Sequence, residues 1–323
     1  MQVLLLISLS VAICWASSDS HQENMETLTD NVVVLRVPHD HGIESRVPLT
    51  CGQANDNMPI FWRKNGEEFT PPLEGNQVTV VVKEMDGGNY TCHLGPSKEY
   101  LNHTVILVQL DPDNRTVILE KSSPEEDHIH CSAPNYKGSF HCTWKKTKHR
   151  SHASVLLVKA ERIPCELDAD GLGVHCQDAA CPYKEEQYRI SLTVYIHSYA
   201  LLEAYTKSFY LREIVRPAKL PNLRISQGKN FSWDYPESWE KPCTFFGLQF
   251  ETKVVPSGQS CHSREYIMND TTEQTRYEIN FKLKKYTFCV RAQDKHTHGP
   301  WSQWSHKNAP KYVHLIIFFF FAE

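Results

Sequence analysis

Near its C-terminal end the chain contains its most informative motif, Trp301-Ser302-Gln303-Trp304-Ser305. Two tryptophans three residues apart are a poor choice for an exposed loop unless another side chain covers their rings. Arg291 lies ten residues before the first tryptophan, at an outward position of an alternating strand. A guanidinium stacked between indole faces gains about 0.5–2 kcal/mol. The pattern therefore predicts a structural ladder of Arg291 with the tryptophans and serines, not a ligand site.

The N-terminus predicts a secretory leader. An apolar run at 4–13 is too short to span a bilayer and is followed by small residues, so we expect a signal peptide over 1–18. The seven-residue apolar run at 315–321 is also too short, and 309–323 is interpreted as a divergent tail. Secretion agrees with five N-glycosylation sequons, which begin at Asn89, Asn102, Asn114, Asn230 and Asn269.

Composition excludes several classes of function. The 34 basic and 38 acidic residues nearly balance, which leaves no basic excess to bind nucleic acid. Cysteines of a secreted chain are read first as disulfides. C-x-x-C and H-E-x-x-H spacings are both lacking, so the sequence predicts no metal and no cofactor. G-x-S-x-G and P-loop motifs are lacking as well, so no enzyme is expected.

The first predicted domain covers 19–110. Cys51 is followed eleven residues later by Trp62, and Tyr90 stands two residues before Cys92. This spacing resembles an immunoglobulin domain, in which two cysteines bridge the sheets and a tryptophan packs on the bridge. The resemblance implies a disulfide between Cys51 and Cys92, with Trp62 in the core.

The second predicted domain covers 111–216. Cys131 and Cys142 flank a Gly-containing turn, so they should lie on neighbouring antiparallel strands, close enough to bridge. Cys165 and Cys176 enclose an acidic loop that a disulfide between them would staple. The alternation at 190–196 indicates a half-buried strand.

The third predicted domain covers 217–308. Pro217 and Pro221 cannot continue a central strand, so they stiffen the connection that precedes it. In the strand at 286–293 we expect one face in the core and the other in solvent. The core face would hold Tyr286, Phe288, Val290 and Ala292, and the outer face Thr287, Cys289, Arg291 and Gln293. The pairing of Cys243, Cys261 and Cys289 stays open.

Taken in order, these patterns resemble the soluble branch of the type I cytokine-receptor family. The most specific carriers are Ala180-Cys181-Pro182 and the run Val290–Asp294. They are most similar to the secreted beta subunits of interleukin-12/interleukin-23-type cytokines. The resemblance implies an all-β chain of three tandem β-sandwiches, one immunoglobulin-like and two of the fibronectin type III class, which together form a cytokine-receptor homology region.

The resemblance also implies partners. A four-helix-bundle alpha subunit would dock at the elbow between the second and third domains, with Cys181 forming an interchain disulfide. Asp294 would receive an arginine of that subunit, Phe245 would supply an aromatic wall, and Tyr183 and Glu185 are further candidate contacts. A cell-surface receptor would bind through the immunoglobulin-like domain and activate T and NK cell responses.

Three further possibilities follow from the same residues. A homodimer through Cys181 is an additional form that the sequence leaves open. The W-x-x-W spacing suits C-mannosylation of Trp301. A soluble or shed receptor alpha chain would explain every domain but leaves Cys181 without a partner.

Overall fold

The computed structural model consists almost entirely of β-strands and divides into two compact units. Unit 1 comprises 1–116 with 197–203, and unit 2 comprises 117–196 with 204–323. The predicted all-β class of tandem β-sandwiches is confirmed. Among the described residues, no helix has the length and apolar character needed to cross a membrane. The structure describes residues 24–37, 44–52, 58–83, 85–95, 97–110, 117–121, 123, 126–179, 186–239, 247–280 and 285–309.

Unit 1 is a β-sandwich. One sheet pairs β3 with β6, and the other contains β8, β7, β4 and β5, with β2 parallel to β8 and β1 beside β2. Alternate residues of β3 and β6 are buried, as expected of strands with one face on a core. The strands are β1 (Met25–Thr29), β2 (Val32–Val37), β3 (Glu44–Thr50), β4 (Ile60–Lys64), β5 (Glu67–Glu68), β6 (Gln77–Lys83), β7 (Gly88–Leu94) and β8 (Tyr100–Leu110).

The core of unit 1 is built around one disulfide. Cys51 is bonded to Cys92, and Trp62 packs in the same cluster with 1% of its surface exposed. The indole N–H of Trp62 donates to the carbonyl of Gly75 at 2.9 Å, which satisfies its one polar atom inside the core. This arrangement is the immunoglobulin-like pattern that the sequence resembles.

Residues 197–203 belong to unit 1, although in sequence they lie within the second predicted domain. Leu201 pairs in parallel with Val108. The backbone N–H of Val108 donates to the carbonyl of Ala200 at 2.7 Å. Nothing in the local pattern of 190–209 indicates this contact, because it depends on a strand about 90 residues away.

The first half of unit 2 contains two sheets. One has the order β12-β13-β10-β9, and β11, β14 and β15 follow one another in the other, although the ends of β14 and β15 within 197–203 belong to unit 1. Disulfides join β9 to β10 at Cys131–Cys142 and β12 to β13 at Cys165–Cys176. The strands are β9 (Ile129–Ser132), β10 (Ser139–Trp144), β11 (Ser154–Ala160), β12 (Cys165–Leu167), β13 (Gly173–Gln177), β14 (Ile190–Ser198) and β15 (Leu201–Phe209), with one 3-10 turn at Lys148–Arg150.

The second half of unit 2 follows a short helix, α1 (Leu211–Ile214). Its sheets have the orders β16-β17-β20 and β19-β18-β21-β22. Phe231 and Phe288 stack between them with ring centroids 3.9 Å apart. The strands are β16 (Arg224–Ser226), β17 (Asn230–Ser232), β18 (Leu248–Pro256), β19 (Met268–Thr272), β20 (Arg276–Glu278), β21 (Tyr286–Asp294) and β22 (Ser305–Ala309).

The prediction of a solvent-facing side for β21 is wrong at three positions. Thr287, Cys289 and Gln293 are all buried, and Cys289 has no exposed surface. At Cys289 the loop after β18 covers this face, because Cys261 bonds to Cys289 and both pack against Trp304. Thr287 is hydrogen-bonded to Asn308 and Gln293 to Gly299. The structure thus supplies the pairing that the sequence left open, while Cys243 lies outside the described residues.

Candidate functional site

The tryptophans of the Trp-Ser-Gln-Trp-Ser stretch are stacked on Arg291. The guanidinium carbon lies 4.8 Å from the ring centroid of Trp301 and 4.5 Å from that of Trp304. Nε of Arg291 also donates to Oε2 of Glu251, its cross-strand partner on β18, at 2.5 Å. Because Glu251 fixes the guanidinium from one side and the indoles hold it from the other, these contacts brace the sheet.

The two serines attach this ladder to its surroundings. The backbone N–H of Ser302 donates to the carbonyl of Ala292 at 2.7 Å, and the N–H of Ala292 donates to Oγ of Ser302 at 2.9 Å. Ser302 therefore imitates a strand partner for β21. Oγ of Ser305 donates to the carbonyl of Leu220 at 2.7 Å, which ties the stretch to the proline-containing connection.

The elbow consists of α1 and its continuation to 223, the turn 134–138 and the loop 295–300. Ala133 accepts from the N–H of Arg216 and donates to Ile214, so the connection pairs with the strand end before the turn. A Cβ added to Gly299 would lie 3.0 Å from the carbonyl oxygen of Val215. The loop and the connection therefore approach so closely that only glycine fits without movement.

Asp294 ends β21 at the centre of the elbow and has no exposed surface. Its Oδ1 accepts from the backbone N–H groups of His296 at 2.7 Å and Thr297 at 2.9 Å. Its Oδ2 accepts from the hydroxyl of Tyr136 at 3.0 Å. Among the residues that the structure describes, no lysine, arginine or histidine forms an ion pair with this carboxylate. A buried carboxylate that is hydrogen-bonded but not neutralised is an unusual feature.

Tyr136, which lies in the turn between β9 and β10, is the side chain that donates a hydrogen bond to Asp294. Its hydroxyl also lies 3.3 Å from Oγ1 of Thr297, and its ring contacts the edge of Trp239 with centroids 6.0 Å apart. Burial, together with the negative charge of Asp294, raises the pKa of the Tyr136 hydroxyl well above its usual range. The hydroxyl is therefore a lasting donor at any physiological pH.

Tyr136 is the residue of this site that sequence reasoning missed. It lies within the Gly-containing turn between Cys131 and Cys142. A large aromatic residue at the tip of a tight turn is costly to expose, and this was the available signal. The distance from Tyr136 to Asp294 along the chain is 158 residues, so only the fold brings them together.

Five predicted site residues lie outside the described residues, as do the leader and positions 310–323 of the tail. They are Cys181, Tyr183, Glu185, Phe245 and Asn114. The predictions for these positions therefore remain predictions.

Other predicted positions are accessible. Asn89 and Asn269 are exposed, Asn102 and Asn230 are half-buried, and Trp301 is half-buried beneath Arg291. Glycosylation of the sequons and C-mannosylation of Trp301 remain predictions. All eight cysteines of the described segments are in four disulfides, so any partner of Cys181 lies elsewhere.

Comparison with known proteins gives a consistent result. Residues 126–198 match the family described as "Cytokine interleukin-12p40 C-terminus". The chain is similar to interleukin-12 subunit beta of Homo sapiens, with 31% identity over 287 residues, which cover 80% of this chain and 85% of the relative. The relative from Macaca mulatta is 30% identical with the same coverage, and that from Marmota monax is 28% identical over 88% of this chain and 92% of its own.

Proposed function

Because this chain belongs to the interleukin-12 subunit beta family, we propose that it is the secreted beta subunit of a heterodimeric cytokine of the interleukin-12/interleukin-23 type. Its partner is a four-helix-bundle alpha subunit that docks at the elbow. The immunoglobulin-like unit 1 engages a cell-surface receptor, and the assembled cytokine activates T and NK cell responses.

The observation that carries this proposal is the buried carboxylate of Asp294. A carboxylate offers about four acceptor sites, and the described donors use three of them. An arginine from the alpha subunit would take the remaining site and would supply the missing positive charge. Charge-assisted contacts of this kind, desolvated at the centre of an interface, commonly dominate binding.

The groups that cover Asp294 must move before an arginine of the alpha subunit can reach its carboxylate. Asp294 is fully buried, so an incoming guanidinium has to displace Tyr136 or part of the 295–300 loop. Tyr136 is suited to this role because its ring would then line the new contact. The aromatic rings of Tyr136 and Trp239 already meet at the same place, and Phe245, Tyr183 and Glu185 are proposed to extend this surface.

A covalent bond through Cys181 is the second part of the proposal. Two disulfides, Cys131–Cys142 and Cys165–Cys176, pair the other four cysteines of the middle domain, which leaves Cys181 for an interchain bond. A homodimer through the same cysteine is the additional form expected when alpha subunit is scarce. An internal bond to Cys243 is the outcome that would remove this part.

The test is co-expression of the full chain with a helical alpha subunit, followed by pull-down from the medium. Asp294→Asn keeps the shape and removes the charge, and we expect capture to fall at least tenfold while secretion continues. Asp30→Asn is the matched control, because it removes the same charge from an exposed turn of unit 1. Equal capture by both variants would show that Asp294 is no anchor.

Cys181→Ser tests the covalent part separately on non-reducing gels. The variant should abolish the disulfide-linked heterodimer but leave a pair that survives mild washing. An unchanged linked band would assign the interchain bond to another cysteine.

A further inference from the structure

Two histidines and an aspartate lie together on one face of the β12-β13-β10-β9 sheet. They are distant from Asp294 in the sequence, and the function proposed above does not require them. His141 of β10 pairs directly with His175 of β13, and their rings stack with centroids 3.9 Å apart and planes 11° apart. Asp168 follows β12. Its Oδ2 lies 2.8 Å from Nε2 of His141, and its Oδ1 lies 3.6 Å from Nε2 of His175.

The cluster is held by covalent bonds next to both histidines. Cys142, adjacent to His141, is bonded to Cys131, and Cys176, adjacent to His175, is bonded to Cys165. One disulfide joins β12 to β13, the other joins β10 to β9, and β10 pairs with β13 along its backbone, so the backbone that carries the three side chains is fixed before any ligand arrives. Such preorganisation lowers the cost of ordering a site on binding.

Gly173 makes room for the carboxylate. A Cβ at Gly173 would lie 2.3 Å from Oδ2 of Asp168 and 2.8 Å from Nε2 of His141. The backbone N–H of Asp168 donates to the carbonyl of Gly173 at 2.9 Å, which fixes the aspartate beside this gap. Any larger residue at 173 would therefore force the carboxylate away from the imidazoles.

We propose that His141, His175 and Asp168 form a binding site for a divalent transition-metal ion, with Zn²⁺ as the best match. Two imidazoles and one carboxylate are a ligand set that zinc favours. The three ligand atoms lie within 4.8 Å of one another. Tetrahedral zinc with ligands at about 2.0–2.1 Å needs them about 3.3 Å apart. One carboxylate oxygen of Asp168, Oδ2, lies 2.8 Å from Nε2 of His141, and the other, Oδ1, lies 3.6 Å from Nε2 of His175.

Three protein ligands leave a fourth position, and this side of the cluster is accessible. The side chain of His175 is 66% exposed. Glu166 is the cross-strand partner of His175 and so shares its face, where a second carboxylate or a water molecule completes the coordination. Arg216 and Lys219 line a groove of about 380 Å³ with both histidines, and their charges favour an anionic fourth ligand.

Sequence spacing gave no sign of this site. His141 and His175 are 34 residues apart, with none of the short intervals that usually indicate zinc ligands. They become neighbours only through the register of β10 with β13. The prediction of no metal is the one that this proposal replaces.

Calorimetric titration of the chelator-treated full chain with ZnCl₂ tests the proposal. We expect one site. His175→Ala and Asp168→Asn should each weaken Zn²⁺ binding by about 10–100-fold or more, because replacing residues that only orient metal ligands already causes a loss of this size. His149→Ala is the matched control, since His149 is exposed in the same part of unit 2 and lies outside the cluster. Co²⁺ bound to the wild-type chain should give the visible spectrum of a tetrahedral site.

Two results would overturn the proposal. One is the absence of stoichiometric Zn²⁺ binding by the wild-type chain. The other is equal affinity in wild type, His175→Ala and Asp168→Asn, which would assign the metal to other histidines. Far-ultraviolet circular dichroism and the secretion level establish that the variants are folded. If His175→Ala disturbs the fold, Asp168→Asn still tests the site, because asparagine has nearly the same volume as aspartate. Alpha-subunit capture is measured separately, so failure here leaves the proposed function unaffected.

Discussion

Replacing Arg291 by alanine should open the second half of unit 2 locally. The change removes two stacking contacts, with Trp301 and Trp304, each worth about 1 kcal/mol at a half-buried site. It also leaves Glu251, whose side chain is 13% exposed, without its cation, at a cost of about 2 kcal/mol. The free energy of local opening should therefore fall by about 4 kcal/mol, close to the usual cost of breaking a buried pair.

Hydrogen exchange measured by mass spectrometry on peptides from 286–305 is the assay, because it reports local opening without assuming that the whole chain unfolds in two states. A loss of about 4 kcal/mol corresponds to exchange about 1000-fold faster. Arg276→Ala is the control, since Arg276 is exposed on β20 of the same half. Adding Glu251→Gln to Arg291→Ala should recover part of the loss, because a neutral amide is less costly to bury. Acceleration below tenfold would refute the bracing role of Arg291.

Three further predictions concern single contacts. Tyr136→Phe leaves Oδ2 of Asp294 without a donor, so the unfolding free energy of unit 2 should fall by about 1–3 kcal/mol, measured by urea denaturation, and an unchanged midpoint would contradict it. Replacing both Cys261 and Cys289 by serine removes a bridge across 28 residues, and stability should fall by about 3–4 kcal/mol, visible as a lower thermal midpoint. Burial and the hydrogen bond to Asp270 raise the pKa of Tyr277 to about 12. The protonated hydroxyl therefore contributes fully to the unfolding free energy below about pH 10, and this contribution is lost as pH rises toward about 12. Tyr277→Phe should flatten the dependence of the unfolding free energy on pH between about 10 and 12.

The sequence predicted those parts of the fold that local alternation and cysteine spacing determine. The alternation at 190–196 appears in the structure as β14, in which every second residue is buried. The same reasoning failed at Cys289, because parity along a strand does not reveal that a distant loop covers its outer face. The contact of Leu201 with Val108 was likewise invisible, since it joins strands far apart in the chain.

The candidate site was predictable only in part, for a similar reason. Asp294 was found through the resemblance of its strand, which is a local signal. Tyr136 and the pair His141 and His175 depend on how strands and turns are brought together, and no spacing along the chain encodes that. Chemistry assembled from separate strands has to be read from the folded chain.

A structure of the heterodimer would show whether the elbow around Asp294 is the docking site of the alpha subunit. We expect an arginine of the helical subunit within hydrogen-bonding distance of the Asp294 carboxylate, with Tyr136 moved to line the contact. A helical subunit bound elsewhere, with the 3.0 Å bond between Tyr136 and Asp294 intact, would contradict this expectation.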